Sequence, residues 1–397
     1  MVGGGPGTVP AVCMRKIGVV TTGRADYGIF RPLLHALTQS AGVELQLVVA
    51  GAHLAPKFGS SLSEILKDGY RPAAKVHMTL ASDDCGSMAR SMGLGIIGFT
   101  EAFERLSPDI VIVLGDRYET HAAAVTATLL QTPIVHIAGG TVSQGSVDDV
   151  LRNSITKLAN VHFTETKACA RRLQSMGEAS WRIHVTGALG LDNIASLRPL
   201  SLADISERFG LALREPPLLA TFHPETRSPR PAQEAHIDAF VEALEALPRQ
   251  IVLTYPNPDA GSYAIIERLE AFAKRKPGCV FVVPHLGTEA YFSLMRLARA
   301  MIGNSSSGIV EAASFKLPVI NVGDRQKGRE AGANVIHVEC TVNAIRQAVA
   351  YALSEDFRSI AASVENPYGT GHAADTMMAV LRSLDLEDDA VLVKEPA

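Results

Sequence analysis

Asp109-Ile110-Val111-Ile112-Val113-Leu114-Gly115-Asp116 is the stretch on which the fold turns. An unbroken aliphatic run between an Asp and a Gly reads as a strand covered on both faces. An Ala-rich helix follows over Thr120–Leu130, then a second apolar strand at Pro133–Ile137. Strand, helix and strand joined by short loops make a βαβ unit, and hence a parallel sheet.

The same alternation extends outward in both directions. Toward the N-terminus, Arg15–Thr22 reads as a buried strand ending at Gly23. Helical spacing at Phe30, Leu33, Leu34 and Leu37 then marks a helix to Gln39, followed by a strand at Val43–Ala50 and a helical stretch at Leu62–Leu66. Toward the C-terminus, Gly187, Gly190 and Pro199 punctuate a hinge near residues 187–200. Strands are expected at Ile183–Thr186, Leu218–Phe222, Ile251–Tyr255, Val280–Val283, Ala300–Ile302 and Val319–Val322, with a helix at Gln233–Leu247. The pattern is α/β, with two doubly wound, Rossmann-like halves. Ligands in such sheets bind outside the carboxyl ends of strands, so the cleft between the halves is the expected site.

Composition narrows the function classes. The chain has 397 residues, 47% of them apolar, enough for two domains. With 37 Lys+Arg against 41 Asp+Glu the net charge is −4. That balance argues against nucleic-acid or anionic-membrane partners, which call for a basic surface. No apolar run approaches the ~20 residues of a membrane span. The five cysteines, Cys13, Cys85, Cys169, Cys279 and Cys340, never form a Cys-x-x-Cys pair. They read as reduced thiols of a cytoplasmic protein, with no structural zinc site. Residues 1–14 are Gly/Pro-rich, lack the features of a signal peptide and are expected to be disordered.

Five segments at strand ends carry candidate chemistry. Asn304-Ser305-Ser306-Ser307-Gly308 follows an apolar strand and precedes a helix expected over Ile309–Phe315, which is the composition of an anion cradle. A plain Ser cap needs only one of the three. Glu311, one turn into that helix, suits ribose hydroxyls. Arg24, in Thr21-Thr22-Gly23-Arg24-Ala25-Asp26, is a partner for phosphate, or else part of a surface pair with Asp26. Asp116 and Arg117 sit at a strand's carboxyl end after Gly115, where a capping role for Asp116 is the alternative. After His136-Ile137-Ala138-Gly139-Gly140-Thr141, a helix is expected with an apolar face at Val147, Val150, Leu151, Ile155 and Leu158, capped by Ser146. On it Asp148 is spaced to pair with Arg152, and Asp149 to support the cap. His223, in Phe222-His223-Pro224-Glu225, follows a buried strand, and imidazole titrates where proton transfer near neutrality needs it.

Taken in order, these segments resemble the hydrolysing UDP-N-acetylglucosamine 2-epimerases of sialic- and legionaminic-acid biosynthesis. The resemblance rests on residues 21–27, 115–119, 136–140, 148–149, 152–157, 187–193, 222–226, 256–261, 303–308, 323–329 and 366–369, and covers residues 15 to about 380. It implies a glycosyltransferase-B-like fold, with domains at 15–187 and 188–369 and a C-terminal helix at 370–385 crossing back to the first. It implies a homodimer and a UDP-sugar substrate, with neither metal nor cofactor. The implied reaction loses UDP by elimination to a glycal, then adds water with inversion at sugar carbon 2. Asp116 and Asp148 match the family's catalytic carboxylates, and His223 its active-site histidine. Arg24, Arg117, Asn257, Ser305, Ser306, Glu311 and Arg325 match its nucleotide and phosphate contacts.

The chain departs from the family at the loop. Ala138 and Thr141 stand where a Glu is usual, Gln144 replaces a further acid, and Asn153 replaces a His. A hydroxyl or an amide cannot act as a general base near neutrality as a carboxylate can. Two alternatives therefore stand beside the epimerase. One is hydrolysis or glycosyl transfer of a nucleotide sugar without epimerisation; the other is nucleotide-sugar binding without catalysis.

Overall fold

The computed structural model of the protein describes residues 14–394 apart from 56–60, 82–83, 144–146, 226–227, 258, 260 and 387. The N-terminal segment expected to be disordered, the Gln144 position and the Ser146 cap therefore fall almost wholly outside the described residues.

Among the described residues, thirteen strands form two sheets. The first holds β1 (Arg15–Thr21), β2 (Val43–Ala50), β3 (Ala74–Val76), β4 (Ile110–Leu114), β5 (Ile134–Ile137), β6 (Val161–Thr164) and β7 (Ile183–Val185), in the order β3-β2-β1-β4-β5-β6-β7. The second holds β8 (Leu218–Thr221), β9 (Ile251–Thr254), β10 (Val280–Val283), β11 (Ala300–Gly303), β12 (Val319–Val322) and β13 (Val335–Val338), in the order β10-β9-β8-β11-β12-β13. All pairings are parallel, with β1 beside β4 and β8 beside β11. Each sheet thus reverses its winding once, at β1/β4 and at β8/β11. Loops leaving these strands diverge there and open a crevice.

Helices cover both faces of each sheet, which is why β4 carries an aliphatic run rather than alternation. One core packs Ile17, Phe30, Leu33 and Ile112 with Met377 and Leu381 of the helix Ala373–Ser383. That helix thus crosses back onto the first sheet. Asp192 receives it, its carboxylate accepting the N–H groups of Ala373 (3.0 Å) and Ala374 (2.7 Å). Two donors that the helix itself cannot satisfy are paired in this way.

Several local expectations are corrected. The first helix begins at Arg24 rather than Phe30, running Arg24–Thr38. The Asp26 carboxylate turns back to accept from Thr22 N (2.6 Å) and Gly23 N (2.7 Å), which closes the turn and starts the helix early. The expected helix at Ile309–Phe315 is instead a short helix Ser306–Val310 and a 3-10 turn Ala312–Phe315, with Glu311 between them. The apolar stripe of helix Asp148–Leu158 is only partly buried: Ile155 is in the core, whereas Val147 and Val150 are exposed. The helix Cys85–Leu106 went unread because four glycines interrupt its pattern. Two of them are packing devices: a Cβ on Gly95 would lie 2.5 Å from Met78 Cε, and one on Gly98 2.7 Å from Val76 Cγ1. Among the described residues no helix is long and apolar enough to cross a membrane.

Candidate active site

The two switch points gather the candidate segments. Arg24 leaves the end of β1 and Asp116–Arg117 the end of β4. His223 leaves β8, and Asn304–Ser306 leave β11. The loop 138–143 leaves β5, and Asp324–Arg325 leave β12.

Asp116 is neither a helix cap nor isolated. Arg152, 3% exposed, donates to its carboxylate. The same guanidinium donates to the carbonyl of Thr141 (2.5 Å) and reaches Ser143 Oγ (3.4 Å). The expected Arg152–Asp148 pairing therefore gives way to an Arg152–Asp116 pair. Burial pushes the Asp116 carboxyl up, but Arg152, Arg329, Arg117 and Arg325 outweigh it and hold it below the usual carboxylate value. Two of those guanidiniums belong to the second half of the chain, so the charge balance of Asp116 is set across the cleft.

The turn before Asp116 is itself held. His136, fully buried, makes a 2.8 Å bond from Nε2 to the Gly115 carbonyl. A carbonyl accepts only, so Nε2 carries the proton. Burial lowers this imidazole to about 3, and it is neutral. Arg117 is engaged by Glu119 (3.1 and 3.3 Å) and, across the cleft, by Asp259 (3.3 Å). Asp148, in the first turn of its helix, adds a charge felt by Arg117. Its neighbour Asp149 instead pins the loop, accepting from Ser143 N (2.7 Å).

His223 is buried, and its ring is oriented by backbone. Nδ1 accepts the N–H of Asn257 (3.1 Å), which leaves the ring proton on Nε2. Burial and then Arg325 push the imidazole well below its ordinary value, so it is a neutral donor. Asn257 thus acts on the site through its backbone. Asn304, fully buried, holds the other side: Oδ1 accepts from His223 N (2.6 Å) and Nδ2 donates to His223 O (2.9 Å). The Asn304 carbonyl accepts from Arg325 (3.3 Å) and Gln326 (2.8 Å). Glu225 anchors the Arg325 loop by accepting from Asp324 N (3.0 Å).

At the cradle, Ser305 Oγ accepts from Ser307 N (3.3 Å) and so caps its own helix. Glu311 Oε2 is buried without a hydrogen-bond partner among the described residues. Burial first, and then the Glu165 charge, raises its carboxyl to about 7. Arg24 lies on the β1 side of the cleft, where His53 and, from the second half, His285 are lowered first by burial and further by the Arg24 charge. Arg329 bridges the halves, donating to Val142 O (2.7 Å) and Ser143 Oγ (2.9 Å).

Residues 35–382 match the sequence profile of the family described as UDP-N-acetylglucosamine 2-epimerase. The chain is 36% identical over 345 residues to the GDP/UDP-N,N'-diacetylbacillosamine 2-epimerase (hydrolyzing) of Campylobacter jejuni, covering 87% of this chain and 89% of that one. It belongs to this family. The UDP-N,N'-diacetylbacillosamine 2-epimerase (hydrolyzing) of Legionella pneumophila is also 36% identical, over 94% of this chain and 97% of its own. The crystal structure of the Neisseria meningitidis UDP-GlcNAc 2-epimerase bound to UDP-GlcNAc superposes with a TM-score of 0.78 at 18% identity, covering 93% of this chain and all of that one. The glycosyltransferase-B-like fold follows. The hydrolysing-epimerase expectation matches the names of these relatives, and none of those names favours hydrolysis without epimerisation or silent binding.

Four residues to which sequence reasoning assigned no role in the site shape it: Arg152, Arg329, Asn304 and Glu165. The first three sit inside motifs already quoted, yet spacing could not say that Arg152 faces Asp116 or that Arg329 crosses the cleft.

Proposed function

We infer that the protein is a hydrolysing 2-epimerase of a UDP-linked N-acetylated hexosamine, releasing UDP and the sugar inverted at carbon 2. The observation that carries this reading is that one guanidinium, Arg325, acts both on an arginine-clamped carboxylate and on a neutral imidazole. Asp116 belongs to one half and His223 to the other. The His223 Nε2–H donates to the oxygen between sugar and diphosphate as the bond to carbon 1 breaks. Arg325 and Arg117 balance the charge that gathers on the diphosphate. Ser305 and Ser306 present the cradle to the phosphates with Arg24, and Glu311 Oε2, buried without a partner among the described residues, accepts from ribose hydroxyls. Of the carboxylates that match the family, Asp148 or Asp116 returns a proton to carbon 2.

The 36% identity to diacetylbacillosamine epimerases favours a sugar with a second acetamido group over N-acetylglucosamine. Residues 15–187 with 370–385, and residues 188–369, are taken as the two units that close on substrate. A cytoplasmic homodimer completes the reading. The homodimer is supported by exposed Leu94, Ile97, Leu129 and Val150 on helices Cys85–Leu106, Tyr118–Leu129 and Asp148–Leu158, and by Val147 just before the last of them.

The test is incubation in deuterated water with UDP-N-acetylglucosamine, UDP-N,N'-diacetylbacillosamine and their GDP counterparts, followed by proton NMR. UDP release with deuterium at carbon 2 and inverted configuration is expected for at least one UDP-sugar. Release with retained configuration would establish hydrolysis instead, and tight binding without turnover across the panel would establish a binding protein.

A further inference from the structure

Inverting carbon 2 takes a proton off one face and returns one to the other, so the site needs a carboxylate able to accept a proton from carbon. Asp116 is poorly suited to that step. Arg152 bonds its carboxylate and three further guanidiniums lie around it, an arrangement that stabilises the anion and weakens it as a base. The loop leaving β5 offers no acid of its own at Ala138 or Thr141.

A different carboxylate is held there. Glu165 follows β6 directly, beside the end of β5, and its Oε2 accepts a hydrogen bond from Thr141 Oγ1 (2.8 Å). Thr141 also ties this carboxylate to the Asp116 pair, since its carbonyl accepts from Arg152 at 2.5 Å. Thr141 and Thr166 line a cavity of about 370 Å³ together with Cys169, Arg172, Arg329 and Tyr368. Glu165 is bonded to the first of these lining residues and adjacent in sequence to the second. Its charge acts on Glu311 and Arg329 of the second half, so it is felt across the cleft.

We propose that Glu165, oriented by the Thr141 hydroxyl, is the base that removes the carbon 2 proton. The proposal rests on the epimerase reading. The Glu165 carboxylate takes the proton, and the C–H electron pair becomes the carbon 1–carbon 2 double bond. The bond from carbon 1 to oxygen breaks with its pair leaving on UDP, and the Glu165 proton passes to solvent. Water then adds its hydroxyl to carbon 1 of the glycal, carbon 2 takes a proton on the opposite face from another acid, and the remaining proton of the water restores that acid. Glu165 is needed for the elimination and dispensable for the hydration.

The experiment compares wild type, Glu165→Gln and Thr141→Val in both half-reactions, using the UDP-sugar that the wild type turns over and the corresponding 2-acetamidoglycal. Glu165→Gln is expected to lower kcat for elimination by roughly 10²–10⁴-fold with KM little changed. Hydration of the glycal should stay within about threefold of wild type, a split that a general structural defect does not produce. Thr141→Val should slow elimination by roughly tenfold, again sparing hydration. An active Glu165→Gln variant with wild-type elimination, or a loss shared equally by both half-reactions, overturns the proposal. If Glu165→Gln does not fold, the selectivity of Thr141→Val decides. A wild type silent on every UDP-sugar overturns the epimerase reading itself, and the proposal with it.

Discussion

The guanidinium of Arg152, on the helix after the β5 loop, bonds the carboxylate of Asp116 at the end of β4, two turns of chain that are 36 residues apart. The pair has a consequence for stability. Asp116 sits below its usual value in the folded protein, so its contribution is present in full above the unfolded value of about 4 and is lost as pH falls through the folded value. Arg152→Met leaves the carboxylate buried without its partner. It should cost about 3 kcal/mol in denaturant melts at pH 7, with the deficit shrinking toward pH 3 as Asp116 protonates.

His223 should be neutral at pH 7 and remain so well below pH 6.5, with its proton on Nε2. Nitrogen-15 shifts of the ring report both directly. Because the unfolded imidazole takes a proton near 6.5 and the folded one does not, this residue makes stability fall as pH drops below about 6.5. His223→Gln should flatten that part of the curve while lowering kcat by roughly 10²-fold or more.

Glu311 behaves in the opposite sense. Its carboxyl is raised to about 7, so the stability it contributes is present below its unfolded value and is lost as pH rises through about 7. Glu311→Gln should therefore melt above wild type at pH 8 and close to it at pH 5. Replacing one buried acceptor oxygen by an amide donor should weaken UDP binding by roughly tenfold in calorimetry.

Gly303, at φ +134°, ends β11 where a Cβ would lie 1.9 Å from the Thr221 carbonyl oxygen. No side chain can bend away from that contact, because both groups are backbone. Gly303→Ala should lose more than about 1 kcal/mol of stability. It should also displace Asn304, and with it the His223 backbone that Asn304 holds, so UDP affinity falls in parallel.

Arg329→Met removes the donors to Val142 O and Ser143 Oγ that join the halves. The expected result is a fall in kcat/KM of roughly 10–100-fold from misplacement of the loop 138–143. Each half should keep its own core, so the thermal transition should move less than for Arg152→Met.

The doubly wound architecture was legible in the sequence because both sheets are built from unbroken aliphatic runs such as Ile110–Leu114, and burial on two faces leaves no other composition. The strand-end motifs were legible for a related reason: parallel strands must deliver their loops to one edge, so Asp116, His223 and Ser305 were bound to face a cleft. Less was visible where local pattern and packing disagree. Helix Cys85–Leu106 is hidden by glycines that serve its contact with β3 (Ala74–Val76).

By itself the sequence determined the two parallel α/β halves, the family and the residues at the strand ends, since each is a matter of local composition and order. Only the tertiary structure decided the partners. Arg152 turned from its helical neighbour Asp148 to Asp116, Thr141 found Glu165 just past the adjoining strand, and Asn257 met His223 through a backbone N–H. Such pairings depend on which strand ends lie side by side, and with them goes the electrostatics. The charge state of a carboxylate or imidazole is set by burial and by guanidiniums that fold in from 36 to more than 200 residues away in the chain.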